Sequence, residues 1–153
     1  MNNKLTVKPI GIIRTSLTEA ENDPIQPCYS KETGVVEIFE EFAGGLKDIE
    51  GFSHIILIYW MHKSGKYSLL KKPFLDSESR GIFVIRHPDR PNPIGISTVE
   101  LLERKNNILI VRNIDVLDGT PLLDIKPYVP EFDAPNADNI KIGWLKDKIK
   151  KLN

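Results

Sequence analysis

Residues 86–97 read Arg-His-Pro-Asp-Arg-Pro-Asn-Pro-Ile-Gly-Ile-Ser, with an apolar run on each side. Three prolines and a glycine in twelve residues exclude a helix, because proline lacks a backbone donor and pushes the residue before it toward extended geometry. The stretch is therefore expected as a rigid loop. It carries Arg86 and Arg90, which cannot be buried without partners, and a turn-forming Asn92-Pro93 step. Two readings stay open at this level. One is a tight turn with solvated arginines; the other is a cationic loop that holds an anion, a carboxylate or a nucleic-acid backbone in a fixed pose.

A chain of 153 residues fits a single domain that buries roughly 70% of its unfolded surface. Lysine plus arginine (21) equals aspartate plus glutamate (21), so no global field draws nucleic acid, and any such partner must meet a local patch. The single Cys28 excludes an intrachain disulfide and a multi-cysteine zinc site. The longest apolar stretch, residues 55–61, is far too short to span a membrane. A soluble, cytoplasmic protein is expected.

Along the chain, strands are expected at residues 7–14, 34–39, 52–61, 81–85 and 122–128, and a hairpin at 98–103 and 108–113 around Lys105-Asn106-Asn107. In the second of these, Val36 and Ile38 share one face and Val35, Glu37 and Phe39 the other. The unbroken apolar run at 52–61 reads as a strand buried on both sides, at the centre of the core. Residues 40–47 contain Gly44-Gly45 and allow only a short helical turn. Asp118-Gly119-Thr120-Pro121 is a strong turn signal. Residues 15–31 form a long polar loop, in which Pro24-Ile25-Gln26 is singled out as a site segment.

Residues 62–72 hold Lys63, Lys66, Lys71 and Lys72 with no acidic residue, a local basic patch that is either a solvated loop or a contact surface. Ile142, Leu145, Ile149 and Leu152 recur at helical spacing over a lysine-rich face, so a helix is expected over residues 140–152. The fold class is mainly β: a small closed or partly open barrel with a short C-terminal helix. It is read as one domain over residues 1–153, with the barrel at about 5–130 and the tail at 140–152.

His54, His62 and His87 show no metal-ligand spacing, so no metal is expected. His54 falls within the buried strand as a core residue, whereas His62 ends that strand and is placed to line a pocket. There is no Gly-x-Gly-x-x-Gly or P-loop pattern, which argues against a doubly wound nucleotide fold. There is also no Gly-x-Ser-x-Gly elbow.

Three blocks occur in order: Phe52-Ser53-His54; Arg86 followed by Arg90-Pro91-Asn92-Pro93-Ile94-Gly95; and Asp118-Gly119-Thr120-Pro121 continuing to Asp124-Ile125-Lys126-Pro127-Tyr128. From about residue 7 to residue 130 the chain closely resembles the TsaA-like family, also called the TrmO family. The resemblance implies a homodimeric β-barrel that binds S-adenosylmethionine and methylates N6 of threonylcarbamoyladenosine beside the tRNA anticodon. It implies donor contacts from Pro24, Ile25, Gln26, His62, Lys63, Arg86, Ile96, Leu117, Asp118, Gly119, Thr120 and Pro121. Arg90, Asn92, Lys126 and Tyr128 are expected toward the acceptor.

An N6 nitrogen beside a carbamoyl carbonyl is a poor nucleophile, so help in losing its proton is expected from Asp118 first and His87 second. Either residue also has a purely structural reading. The chain departs from the family pattern at Ile85, His87 and Lys63. Two other readings stay open: the same fold methylating a small molecule or another acceptor, and a non-catalytic module that binds the donor or RNA.

Overall fold

Eight strands follow one another among the described residues, 3–18 and 30–149 of the computed structural model. They are β1 (Gly11–Arg14), β2 (Thr33–Ile38), β3 (His54–Trp60), β4 (Leu70–Lys71), β5 (Arg80–Gly81), β6 (Ile94–Lys105), β7 (Ile108–Arg112) and β8 (Thr120–Pro127). The chain clusters into two compact units, one of Met1–His62 with Ile94–Tyr128 and one of Lys63–Pro93 with Val129–Asn153.

The first unit is a closed barrel in the order β1-β2-β7-β6-β3-β8, with β8 pairing back onto β1. Every pairing is antiparallel, and closure leaves no strand edge open to another chain. The period of two sorts the side chains: Ile55, Leu57 and Tyr59 of β3 point inward to meet Ile13, Val36, Ile38, Val99, Leu109, Val111 and Leu122. On the outer face of β3, Ile56 is also buried and Ile58 and Trp60 are half-buried, which accounts for the apolar run. Asn106 takes the β6–β7 turn at φ 56°, a conformation asparagine tolerates, and Asn107 Nδ2 donates to Ile38 O at 2.7 Å.

The second unit holds the β4–β5 hairpin and short turns. The strand expected over 81–85 is a strand only at Arg80–Gly81, and Ile82–Val84 form a 3₁₀ turn. The reason is the burial pattern: Ile82 and Ile85 are buried with Phe83 and Val84 exposed between them, a spacing of three that suits a 3₁₀ turn rather than a strand. The C-terminal helix is also different as far as Ile149. A 3₁₀ turn at Gly143–Leu145 is bracketed by positive φ at Gly143 (57°) and Asp147 (69°), and left-handed residues interrupt an α-helix. The loop expected over 86–97 ends at Pro93, because Ile94 already begins β6.

Candidate functional site

The Asp-Gly-Thr-Pro turn sits at the entry to β8 and is tied down from several directions. Asp118 N donates to Leu17 O at 2.7 Å and Gly119 N to Ile13 O at 2.9 Å. The Thr120 hydroxyl donates to Leu117 O at 2.7 Å, and Asp118 Oδ1 accepts from Thr15 N at 3.1 Å. Thr15 Oγ1 in turn donates to Val116 O at 2.7 Å. His62, just past β3, brings Nδ1 to 3.3 Å from Thr120 Oγ1.

Gly119 adopts φ 80°, where a side chain is disfavoured. The one heavy atom near a Cβ built there is Arg14 Nη1 at 3.8 Å. The result is bare, preorganised backbone flanked by a guanidinium, a surface suited to a flat ring and an adjacent anion. Arg14 was missed by sequence reasoning. It is the last residue of β1, and only the pairing of β1 with β8 brings it beside the turn.

The glycine and serine of the proline-rich motif do a different job. A Cβ at Gly95 would stand 2.2 Å from Tyr59 Cε2, so the ring lies directly on the glycine backbone. Tyr59 Oη is 2.8 Å from Ser97 Oγ, and Ser97 Oγ donates to Asp115 Oδ1 at 2.6 Å. The last step fixes the direction of the chain: phenol to serine to carboxylate. Asp115 opens the segment that runs into the Asp-Gly-Thr-Pro turn, so β3 and β6 hold its root.

In the second unit, Asp89 organises the loop. Its carboxylate accepts from Lys71 Nζ at 2.9 Å and from Gly65 N at 2.7 Å. The hydrogen bond from Lys71 holds the Asp89 carboxyl below the usual carboxylate range. Arg90 turns onto its own loop, with Nη1 donating to Ile85 O at 2.9 Å and His87 O at 3.3 Å. His87 Nδ1 accepts from Asp89 N at 3.0 Å. Burial lowers the His87 pKa, with Lys71 and Arg90 acting in the same direction and Asp89 opposing. The neutral ring therefore carries its proton on Nε2.

Of the remaining candidates, Lys63, Arg86 and Asn92 are exposed on the second unit. Ile96 is on the outer face of β6 opposite Ile58, 51% exposed. Tyr128 packs edge-on against His54 with ring centres 6.3 Å apart, and Lys126 Nζ pairs with Asp124 at 3.0 Å. Lys126 lies near the far end of β8 and Tyr128 just past it, roughly 20 and 26 Å along an extended strand from Thr120, so the barrel does not bring them to the Asp-Gly-Thr-Pro turn. Pro24, Ile25 and Gln26 lie outside the described residues. A concavity lined by Leu46, Ile49, Phe52, Ile55, Ile125 and Pro127 contains none of the candidates. Among the described residues no group of three His, Cys, Asp or Glu side chains is placed to hold a metal, and no helix is long and apolar enough to cross a membrane.

This is a small closed antiparallel barrel with a heavily braced Asp-Gly-Thr-Pro turn, an architecture outside the doubly wound nucleotide-binding class. Residues 12–134 match the tRNA-methyltransferase O N-terminal domain, and the chain belongs to that family. It is similar to a probable S-adenosyl-L-methionine-binding protein of Pyrococcus abyssi, 56% identical over 95% of this chain and 78% of that one. The human tRNA (adenine(37)-N6)-methyltransferase is 33% identical over 86% of this chain and 32% of its own length. The crystal structure of TrmO from Pseudomonas aeruginosa superposes with a TM-score of 0.77 at 35% identity, covering 92% of this chain and 62% of that one. This chain thus spans about a third of the human enzyme and under two thirds of the solved TrmO.

Proposed function

We propose that this protein is an S-adenosylmethionine-dependent methyltransferase that acts on N6 of a modified adenosine, threonylcarbamoyladenosine, beside the anticodon of tRNA. The observation that carries the reading is the family match over residues 12–134, which takes in both the proline-rich motif and the Asp-Gly-Thr-Pro turn. The donor supplies an electrophilic methyl group on a sulfonium, so the leaving group is a neutral thioether and needs no acid. The protein's main tasks are then alignment and proton removal.

The geometry of the turn at the entry to β8 supports that reading. Preorganised backbone at Leu117, Asp118, Gly119, Thr120 and Pro121 suits the adenosine part. The family resemblance adds Pro24, Ile25, Gln26, His62, Lys63, Ile96 and Arg86 as expected donor contacts, the Arg86 guanidinium toward the carboxylate. For the N6 proton, Asp118 is preferred over His87. The Nδ1 of His87 is already engaged by Asp89 N, which leaves Nε2–H as a donor. Arg90, Asn92, Lys126 and Tyr128 are assigned to the acceptor, Arg90 chiefly by bracing its loop, and Lys126 and Tyr128 only toward parts of the tRNA remote from the reacting nitrogen. We take the chain as one catalytic domain in a cytoplasmic homodimer. The outer face of β6 supports the dimer, because Ile94 and Ile96 are 45% and 51% exposed opposite Trp60 and Ile58.

The test is mass analysis of nucleosides from threonylcarbamoyladenosine-containing tRNA incubated with protein and donor. A gain of one methyl on that nucleoside is expected; no gain overturns the assigned acceptor. One observation favours a second reading, donor binding with another acceptor or none: archaeal relatives, including one of Archaeoglobus fulgidus 43% identical over 86% of this chain, are named only as S-adenosyl-L-methionine-binding proteins. Calorimetry separates the cases, since donor binding without tRNA methylation supports this second reading.

A further inference from the structure

The second unit exposes more large apolar side chains than its own packing explains. Tyr67 (56%), Leu70 (66%), Phe74 (84%) and Phe83 (74%) are all open to solvent, and concentrated exposure of this kind marks a contact surface. The local structure puts them there. Leu70 pairs with Gly81 and Lys71 with Arg80, while Ile82 N donates to Leu69 O at 2.9 Å. Because Ile82 is 1% exposed, strand alternation sends Lys71 and Arg80 to the covered side and Leu70 and Lys72 to the open side. Phe83 then stands out from the 3₁₀ turn whose first residue is that buried isoleucine, and Phe74 follows the buried Pro73.

The charge on this surface is predominantly positive. Residues 63–84 contain five cationic and two acidic side chains in a chain that is neutral overall. Both acids are already matched: Asp76 by Arg80 and Lys148, Glu78 by Arg80. Lys71 is held by Asp89. Among the described residues no carboxylate lies within ion-pair distance of the exposed Lys66 or Lys72.

We propose that this surface contacts single-stranded RNA, with Phe74 and Phe83 as platforms for unstacked bases and Lys66 and Lys72 meeting phosphates. Phenyl rings stack on any base, and lysines interleaved with them supply the sequence-independent charge that a phosphate backbone meets. A second copy of the chain is a poorer occupant, because a two-fold contact brings the same uncompensated lysines against each other. The inference rests on the tRNA reading above and gives it a docking surface: the loop that carries the modified adenosine is single-stranded, so its neighbouring bases are available to stack.

The experiment measures tRNA binding by fluorescence anisotropy for the full chain, for Phe74→Ser/Phe83→Ser and for Lys66→Glu/Lys72→Glu, with donor binding by calorimetry in parallel. The aromatic variant is expected to lose about tenfold or more in tRNA affinity, and the lysine variant to lose affinity with a shallower salt dependence. Both should keep donor affinity. If the unchanged protein methylates tRNA while both variants bind tRNA as well as it does, the surface is wrong and the functional reading survives. If the unchanged protein neither binds nor methylates tRNA, both fail. Light scattering that shows the variants alone becoming monomeric, or loss of binding to phosphatidylserine vesicles with tRNA affinity intact, also overturns the proposal.

Discussion

The ring of Tyr59 lies on the backbone of Gly95, with Cε2 2.2 Å from where a glycine-to-alanine change would place a methyl group. Tyr59 is 7% exposed inside the barrel, so the ring cannot swing out to make room. Gly95→Ala is therefore expected to destabilise the fold by about 1–3 kcal/mol, the usual cost of overpacking. A denaturant midpoint equal to that of the unchanged protein would show that the ring relocates freely.

The chain from Tyr59 through Ser97 to Asp115 couples its members. Removing the middle hydroxyl takes one hydrogen bond from a buried phenol at one end and one from a carboxylate at the other. Ser97→Ala is expected to cost about 1–3 kcal/mol, and Tyr59→Phe less. The double variant should be more stable than the sum of the single effects implies. Strict additivity in a denaturation cycle would mean the two hydroxyls act independently.

At Gly119, the positive φ of 80° makes Gly119→Ala cost about 1–2 kcal/mol. The added methyl also occupies the bare backbone assigned to the donor. Calorimetry should then show weaker S-adenosylmethionine binding than the stability loss explains. Arg86→Ala is expected to weaken donor binding in the same calorimetric measurement, and unchanged affinity would show that this arginine does not meet the donor.

Asp76 and His87 both contribute to the acid limb of stability, alongside Asp89. The Asp76 carboxyl is lowered to about 2, first by the Arg80 hydrogen bonds. A carboxylate depressed in the fold stabilises it fully above its unfolded value of 3.8, and that contribution is lost as pH falls toward 2. His87 is depressed below 6.5, chiefly by burial. The unfolded chain binds its proton more readily, so this contribution is complete above pH 6.5 and declines as pH drops below it. Titration of the His87 ring by NMR should give a midpoint under 6.5. A midpoint above it would mean that the Asp89 carboxylate outweighs desolvation.

Much of the barrel was legible because its signals are local. Alternation in Val35, Val36, Glu37 and Ile38, the apolar run of β3 and the paired asparagines between β6 and β7 each depend on neighbours a few positions apart. Elements whose form depends on distant contacts were harder to read. Residues 82–85 carry strand-forming side chains, yet burial at Ile82 and Ile85 selects a 3₁₀ turn. The spacing of Ile142, Leu145 and Ile149 suggests a helix, yet Gly143 and Asp147 adopt left-handed backbone and Trp144 Nε1 is drawn to Val84 O at 2.8 Å.

The proline-rich stretch shows the same division within twelve residues. Its prolines exclude a helix wherever it is placed, because a missing N–H and a locked φ are properties of the residue. Composition likewise excludes a disulfide framework and a membrane-spanning helix of ordinary length, and the motif blocks alone are enough to suggest the family. Only the tertiary structure decides what each side chain meets: Arg90 folds onto the carbonyls of its own loop, Gly95 lies under Tyr59, Ser97 links a phenol to Asp115, and Arg14 comes beside Gly119. Apart from those of Arg90, the partners are distant in sequence, Arg14 and Gly119 by 105 residues, and strand pairing around a closed barrel is what makes them neighbours.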